Sequence, residues 1–217
     1  MEQLAEGVFR LRGVPPDAIN IYVIGDVLLD AGTVFARRRI LRETAGWGLA
    51  AHALTHAHPD HFGSSHAVCE ELGIPLWCPA RDVATVERGE GAPSDTPFGR
   101  LAARTPLPPL HPVDRALREG DEVAGFRVLE TPGHSPGHCS YWRSADRVLI
   151  VGDAVFGMSM LGRPGLREPP RALSTDPALN RESARRLAAL EPGVALFGHG
   201  PPLRDPGRLR AFAATLM

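Results

Sequence analysis

The chain has 217 residues, 43% of them hydrophobic, and a formal net charge of -1 from 24 basic and 25 acidic side chains. That is enough apolar material for the core of one domain and argues against disorder, and the balanced charge offers no footprint for nucleic acid or an anionic membrane. Every basic residue is arginine, which excludes a lysine nucleophile or Schiff base.

The first residues, MEQLAEGVFRLRG, lack the basic start and apolar middle of a signal peptide. No apolar run reaches the roughly 18 residues that would suggest a membrane span. Gly7 to Gly13 reads as a first strand. Ala18 to Gly32 reads as two apolar runs around Gly25-Asp26, a hairpin signal. Thr33 is placed to cap a helix running to about Ala45. Leu49 to Thr55 predicts a strand, with THAHPDHFG at 55–63 directly after it. A helix is expected from Phe62 to Leu72, a strand from Ile74 to Cys78 and a short helix from Arg81 to Arg88. Residues 89–112 are rich in Gly and Pro and predict an irregular connection. Val123 to Thr131 reads as a strand pair around Gly125, followed by strands at His138 to Trp142 and Val148 to Gly152. A second long loop is expected over 157–176. An amphipathic helix over Asp176 to Leu190, a strand over Val194 to Phe197 and a helix over Arg208 to Leu216 close the chain. Cys69, Cys78 and Cys139 are odd in number and form no CxxC, so a reducing, cytoplasmic setting is expected.

The candidate chemical residues fall just after predicted strands. Strand ends gathered on one edge are how a sheet assembles a site from residues distant in sequence. THAHPDHFG holds three of the nine histidines in the chain. His56 and His58, two apart in an extended segment, point the same way and can share one ion. Pro59 then turns the chain, and Asp60 and His61 face a neighbouring space. A catalytic ion needs about three protein ligands and an open position; His134, Asp153 and His199 stand at other strand ends to complete the set. GHS at 133–135 lacks the GxSxG elbow of a serine hydrolase.

HAHPDH at 56–61, TPGHSPGH at 131–138, GDA at 152–154 and GHG at 198–200, with LLDAG at 28–32, resemble the metallo-β-lactamase superfamily in order and spacing, over essentially the whole chain. The resemblance implies an αββα sandwich of two mixed sheets flanked by helices, here as one domain over 1–217. It implies that His56, His58 and His134 hold a first ion and Asp60, His61 and His199 a second, with Asp153 bridging both. Two Zn2+ ions are then expected, iron being the alternative, and Asp60 and Asp153 are the carboxylates nearest the chemistry. In the same resemblance His138 and Asp30 support the ligands without touching metal. Arg163, Arg167 and Arg171, at intervals of four in the second loop, offer a wall for a substrate carboxylate or phosphate, though solvated loop arginines are the simpler reading. His52, His66 and His111 read as ordinary histidines and the cysteines as buried apolar residues.

Within the superfamily the full His/Asp set looks most like the glyoxalase-II-type branch, which implies hydrolysis of a small thioester or ester by a bridging hydroxide. The chain ends 18 residues after His199, short of that branch's helical glutathione-binding region. The lactonase tyrosine is missing between Asp153 and His199, since the only tyrosines are Tyr22 and Tyr141. A β-lactamase reading is weaker again. The alternative from another class is a persulfide dioxygenase, which would hold one iron through His56, His134 and Asp153. The expected partner is a small-molecule substrate, without nucleic acid or membrane, and a homodimer is left open.

Overall fold

Successive side chains on a strand point to opposite faces, and here both faces are apolar. In the strands Tyr22–Ile24 (β3) and Val27–Leu29 (β4) all the residues are buried. Tyr22, Ile24, Val27 and Leu29 face one core, while Val23 and Leu28 face another on the opposite side. A sheet covered on both faces reads as a continuous hydrophobic run, which is why Ala18 to Gly32 stands out in the sequence. The computed structural model describes residues 1–11, 13, 15–89 and 108–216.

The first sheet contains, in chain order, Glu2–Ala5 (β1), Val8–Arg10 (β2), β3, β4, Ala51–Ala53 (β5), Leu76–Pro79 (β6) and Arg115–Leu117 (β7). Pairing is antiparallel from β1 to β4 and parallel from β4 to β7. Glu122–Val123 (β8), Phe126–Glu130 (β9), Cys139–Arg143 (β10) and Val148–Gly152 (β11) run antiparallel in the second sheet. Phe156–Met158 (β12) and Pro164–Arg167 (β13) form a separate hairpin, and Val194–Phe197 (β14) lies parallel to β11 at the edge of the second sheet. The chain thus points the carboxyl ends of β9, β11 and β14 the same way, and likewise those of β4 and β5.

The sheets face each other over one core, in which Tyr22, Ile24, Leu29 and Ala53 meet Phe126, Val128, Tyr141, Ile150 and Leu196. The helices Arg37–Glu43 (α1) and Ser65–Leu72 (α3) bring Ile40 and Val68 onto the outside of the first sheet. Pro177–Ala188 (α5) and Pro206–Ala214 (α6) pack Ala184, Leu187, Leu209 and Ala213 against Leu149, Val151, Ala195 and Phe197 of the second. The four layers are the αββα sandwich expected. Among the described residues no helix is long and apolar enough to cross a membrane.

Several local expectations are corrected. The helix after Thr33 begins only at Arg37, because the Thr33 carbonyl closes a turn with the Ala36 N–H and also accepts from Ser64 Oγ. The expected helix from Phe62 to Leu72 is two: Pro59–Phe62 (α2) and α3. Gly63 separates them, packed so closely on the Thr33–Val34 backbone that a Cβ there would overlap it. The expected loop over 157–176 contains most of the β12–β13 hairpin and a 3-10 turn, Arg171–Leu173; Pro is accepted at the first residue of a strand, as at Pro164. The strands β1 and β7 have no counterpart in the sequence reading. The irregular connection expected at 89–112 falls mostly outside the described residues; its end, 108–112, has no regular structure. Val83–Arg88 (α4) matches the short helix expected there.

Candidate metal centre

Each candidate side chain sits just past a strand end: Asp30 after β4, His56 and His58 after β5, His134 after β9, Asp153 after β11 and His199 after β14. Pro59 starts α2 immediately after His58, which turns Asp60 and His61 back toward the same space. Asp153 lies at the centre. Its Oδ2 is 3.2 Å from His199 Nε2, 3.3 Å from His134 Nε2, 3.4 Å from His61 Nε2 and 3.8 Å from His56 Nε2. On one side His56 Nε2 lies 3.1 Å from His58 Nδ1. On the other, Asp60 Oδ2 lies 3.4 Å from His199 Nε2 and 4.0 Å from His61 Nε2. The structure therefore brings together two donor groups, His56/His58/His134 and Asp60/His61/His199, each compact enough to hold an ion.

The outer nitrogens of these rings are tied to the protein, which fixes which nitrogen faces inward. His61 Nδ1 donates to Asp30 Oδ2 at 2.8 Å. The Thr55 hydroxyl also donates to Asp30 Oδ2, and His56 Nδ1 donates in turn to Thr55 Oγ1. His199 Nδ1 donates to the Ala18 carbonyl, and His134 Nδ1 lies 3.3 Å from Ser174 Oγ. His138 does not reach the cluster centre. Its Nε2 accepts the Asp153 backbone N–H at 2.9 Å while its Nδ1 donates toward Thr131, so it braces Asp153 from behind.

Charge is divided unevenly. Burial and the neighbouring rings push His56 well below its ordinary pKa, and His58 down to about 3. Burial acts the same way on His61 and His199, but Asp153 and its neighbouring carboxylates override it, raising His61 and taking His199 up to about 10. Burial would raise Asp153 and Asp60, yet the cationic rings hold both well below the carboxylate range. The protein thus stabilises positive charge between these carboxylates. His134 Nε2 and Asp153 Oδ1 are fully buried and make no hydrogen bond, a cost proteins avoid unless the group has another partner. Imidazole nitrogens with carboxylate oxygens suit zinc or iron, and the residues present fit such ions.

The sequence reading missed several supports. Asp82, just before α4, looks like a helix cap but caps nothing. Its carboxylate accepts from Ala57 N, Ser135 Oγ and Gly137 N at 2.7 to 3.0 Å, clamping the His56–His58 segment to the segment after His134. Asn20 donates to the Phe197 and Gly200 carbonyls, and Asn180 to Ala154 O. Rarity was the available signal, for these are the only asparagines in the chain. Gly198 must be glycine, since a Cβ would overlap Asp153 Oδ1. The Phe156 ring lies tilted against that of His199, with centroids 4.5 Å apart, and walls the site. Arg167 turns back on its own hairpin, donating to Gly165 O and Arg163 O; Arg163 is exposed, its backbone N–H bonded to Ser159 Oγ. A groove of about 260 Å³ is lined by Pro15, Ala18, Ile19, Phe35, Ala36 and Arg39 among others, and Ala18 is the residue whose carbonyl holds His199 Nδ1.

Two mixed sheets with a histidine and aspartate cluster at their shared edge define the metallo-β-lactamase fold. The chain belongs to the metallo-beta-lactamase superfamily, whose model matches residues 14–199. It is 32% identical to the probable metallo-hydrolase YflN of Bacillus subtilis (strain 168), over 93% of this chain and 86% of that protein. It is also 32% identical to a hydroxyacylglutathione hydrolase of Methylobacterium sp. (strain 4-46), over 78% of this chain but 54% of that enzyme, so it matches about half of that relative's length. Among solved structures it is similar to TTHA1623 in a di-iron-bound form, with TM-score 0.65 and 30% identity over 97% of this chain and 94% of that one.

Proposed function

We propose that the protein is a hydrolase working through two divalent ions, zinc foremost, that cleaves a small thioester or ester. The observation that carries this reading is Asp153, whose Oδ2 stands within reach of both donor groups. Bound ions supply the acidity that makes water a nucleophile near neutral pH and the positive charge that polarises a carbonyl. His56, His58 and His134 would hold one ion, Asp60, His61 and His199 the other, and Asp153 both. Asp60 is the more exposed carboxylate, with 38% of its side chain accessible, so it is placed to orient the nucleophile by accepting its hydrogen bond. Phe156 keeps water off the His199 side, and the groove along Ala18, Ile19 and Phe35 receives the acyl part. The similarity to a hydroxyacylglutathione hydrolase supports a thioester. Both tyrosines are buried and donate to backbone carbonyls, so neither is available to a lactone.

The second reading is sulfur oxidation at one iron held by His56, His134 and Asp153; the likeness to a di-iron-bound structure supports iron as the metal but not a single ion. A panel of thioesters and aryl esters, assayed with zinc-loaded protein and with Asp153→Asn, beside oxygen uptake with a persulfide on iron-loaded protein, separates the two. Ester or thioester turnover that Asp153→Asn abolishes is expected. Oxygen uptake with a persulfide and no ester turnover would overturn the hydrolase.

A further inference from the structure

Among the described residues one further group of metal-binding side chains lies outside the centre: His66, Glu70 and His111. His66 and Glu70 stand four apart on α3 and so share a face. His111 approaches from the segment leading into β7. Its ring meets that of His66 edge to face, and the two Nδ1 atoms lie 3.1 Å apart. Glu70 Oε1 is 3.9 Å from His111 Nδ1, and all three ligand atoms lie within 4.8 Å of one another.

We propose that His66, Glu70 and His111 form a separate metal site that takes a divalent first-row transition ion, zinc above others, and staples α3 to the segment 111–114. Zinc–nitrogen bonds of about 2.0 Å in a tetrahedron place two nitrogens about 3.3 Å apart, close to the separation already present. A proton shared between two rings satisfies only those two nitrogens; an ion also engages the carboxylate. Glu70 is largely exposed, so a side-chain rotation brings its oxygen in, and water fills the remaining position. The frame is rigid on both sides. Ser65, beside His66, is buried and bonded to His52 Nε2. His111 N–H donates to Val86 O, Val113 N–H to Glu87, and Asp114 pairs with the Leu76 backbone. Burial, helped by His66, keeps His111 below its ordinary pKa, and the neutral form is the one that ligates.

The full chain, without a histidine tag, is stripped of metal, reloaded in micromolar free zinc and analysed for zinc per chain. The parent is expected to hold one more zinc than His66→Ala, with a zinc-dependent rise in Tm that is smaller in this variant. His66 is only partly buried, so the variant should fold, and His111→Gln should show the same loss. Because the count is a difference, it does not depend on how many ions the main centre holds. Equal zinc in the parent and both variants overturns the proposal, as does a dissociation constant in the millimolar range, which marks an adventitious ion only.

Discussion

Asp82 shows how much of a metal centre is made by residues that touch no metal. It is buried, and burial raises its pKa, while three donors from two loops hold its carboxylate. Outer partners of this kind typically contribute about 10–100-fold in metal affinity. Asp82→Asn keeps the size of the side chain but sets an amide N–H against one of those donors. Zinc affinity measured with a competing chelator should fall by roughly that factor, with the circular dichroism spectrum unchanged. Unchanged affinity would show that the two loops do not need the clamp. His52 carries a second prediction. It is fully buried and fixed in its neutral form: Nδ1 donates to Leu28 O and Nε2 accepts from Ser65 Oγ. Burial takes its pKa down to about 4 from an ordinary 6.5. The unfolded chain therefore binds the proton first, so stability is full above about pH 6.5 and is lost as pH falls toward about 4, by up to about 3 kcal/mol. Thermal melts at pH 7 and pH 5 should differ more in the parent than in His52→Gln; equal differences would refute the assignment.

At the scale of elements, the two sheets are joined by the only tyrosines in the chain. Tyr22 donates to Phe197 O and Tyr141 to Leu54 O, each at 2.6 Å. Each accepting carbonyl lies two residues before a proposed ligand, His199 and His56. Tyr141→Phe leaves the buried Leu54 carbonyl without this donor, at a cost of about 1–3 kcal/mol. A lower denaturation midpoint with a weakened metal affinity is expected; lost stability with affinity intact would confine Tyr141 to the fold. Strands β3, β4, β9, β11 and β14 were legible because their apolar runs are long or are punctuated by hairpin signals. The strands β1 and β7 were not, being short edge strands with exposed residues. Neither was the break at Gly63, nor the hairpin through Phe156. These depend on contacts with segments far away in the sequence, which no local pattern encodes.

For the whole molecule, the candidate ligands were legible because chemistry compresses them into short motifs, and the structure brings those motifs to one edge. The supports were less so: Asp82 imitates a cap, and Asn20 and Asn180 act across about 180 and 26 residues. The order of strands explains the convergence, since β4, β5, β9, β11 and β14 all deliver their carboxyl ends to the same place. The account stands on two ions flanking one carboxylate. Anomalous X-ray diffraction at the zinc edge, from crystals of zinc-loaded protein, tests that most directly. Two peaks either side of Asp153 Oδ2 are predicted, one among His56, His58 and His134, the other among Asp60, His61 and His199. A single peak there, or none, would contradict the two-ion hydrolase.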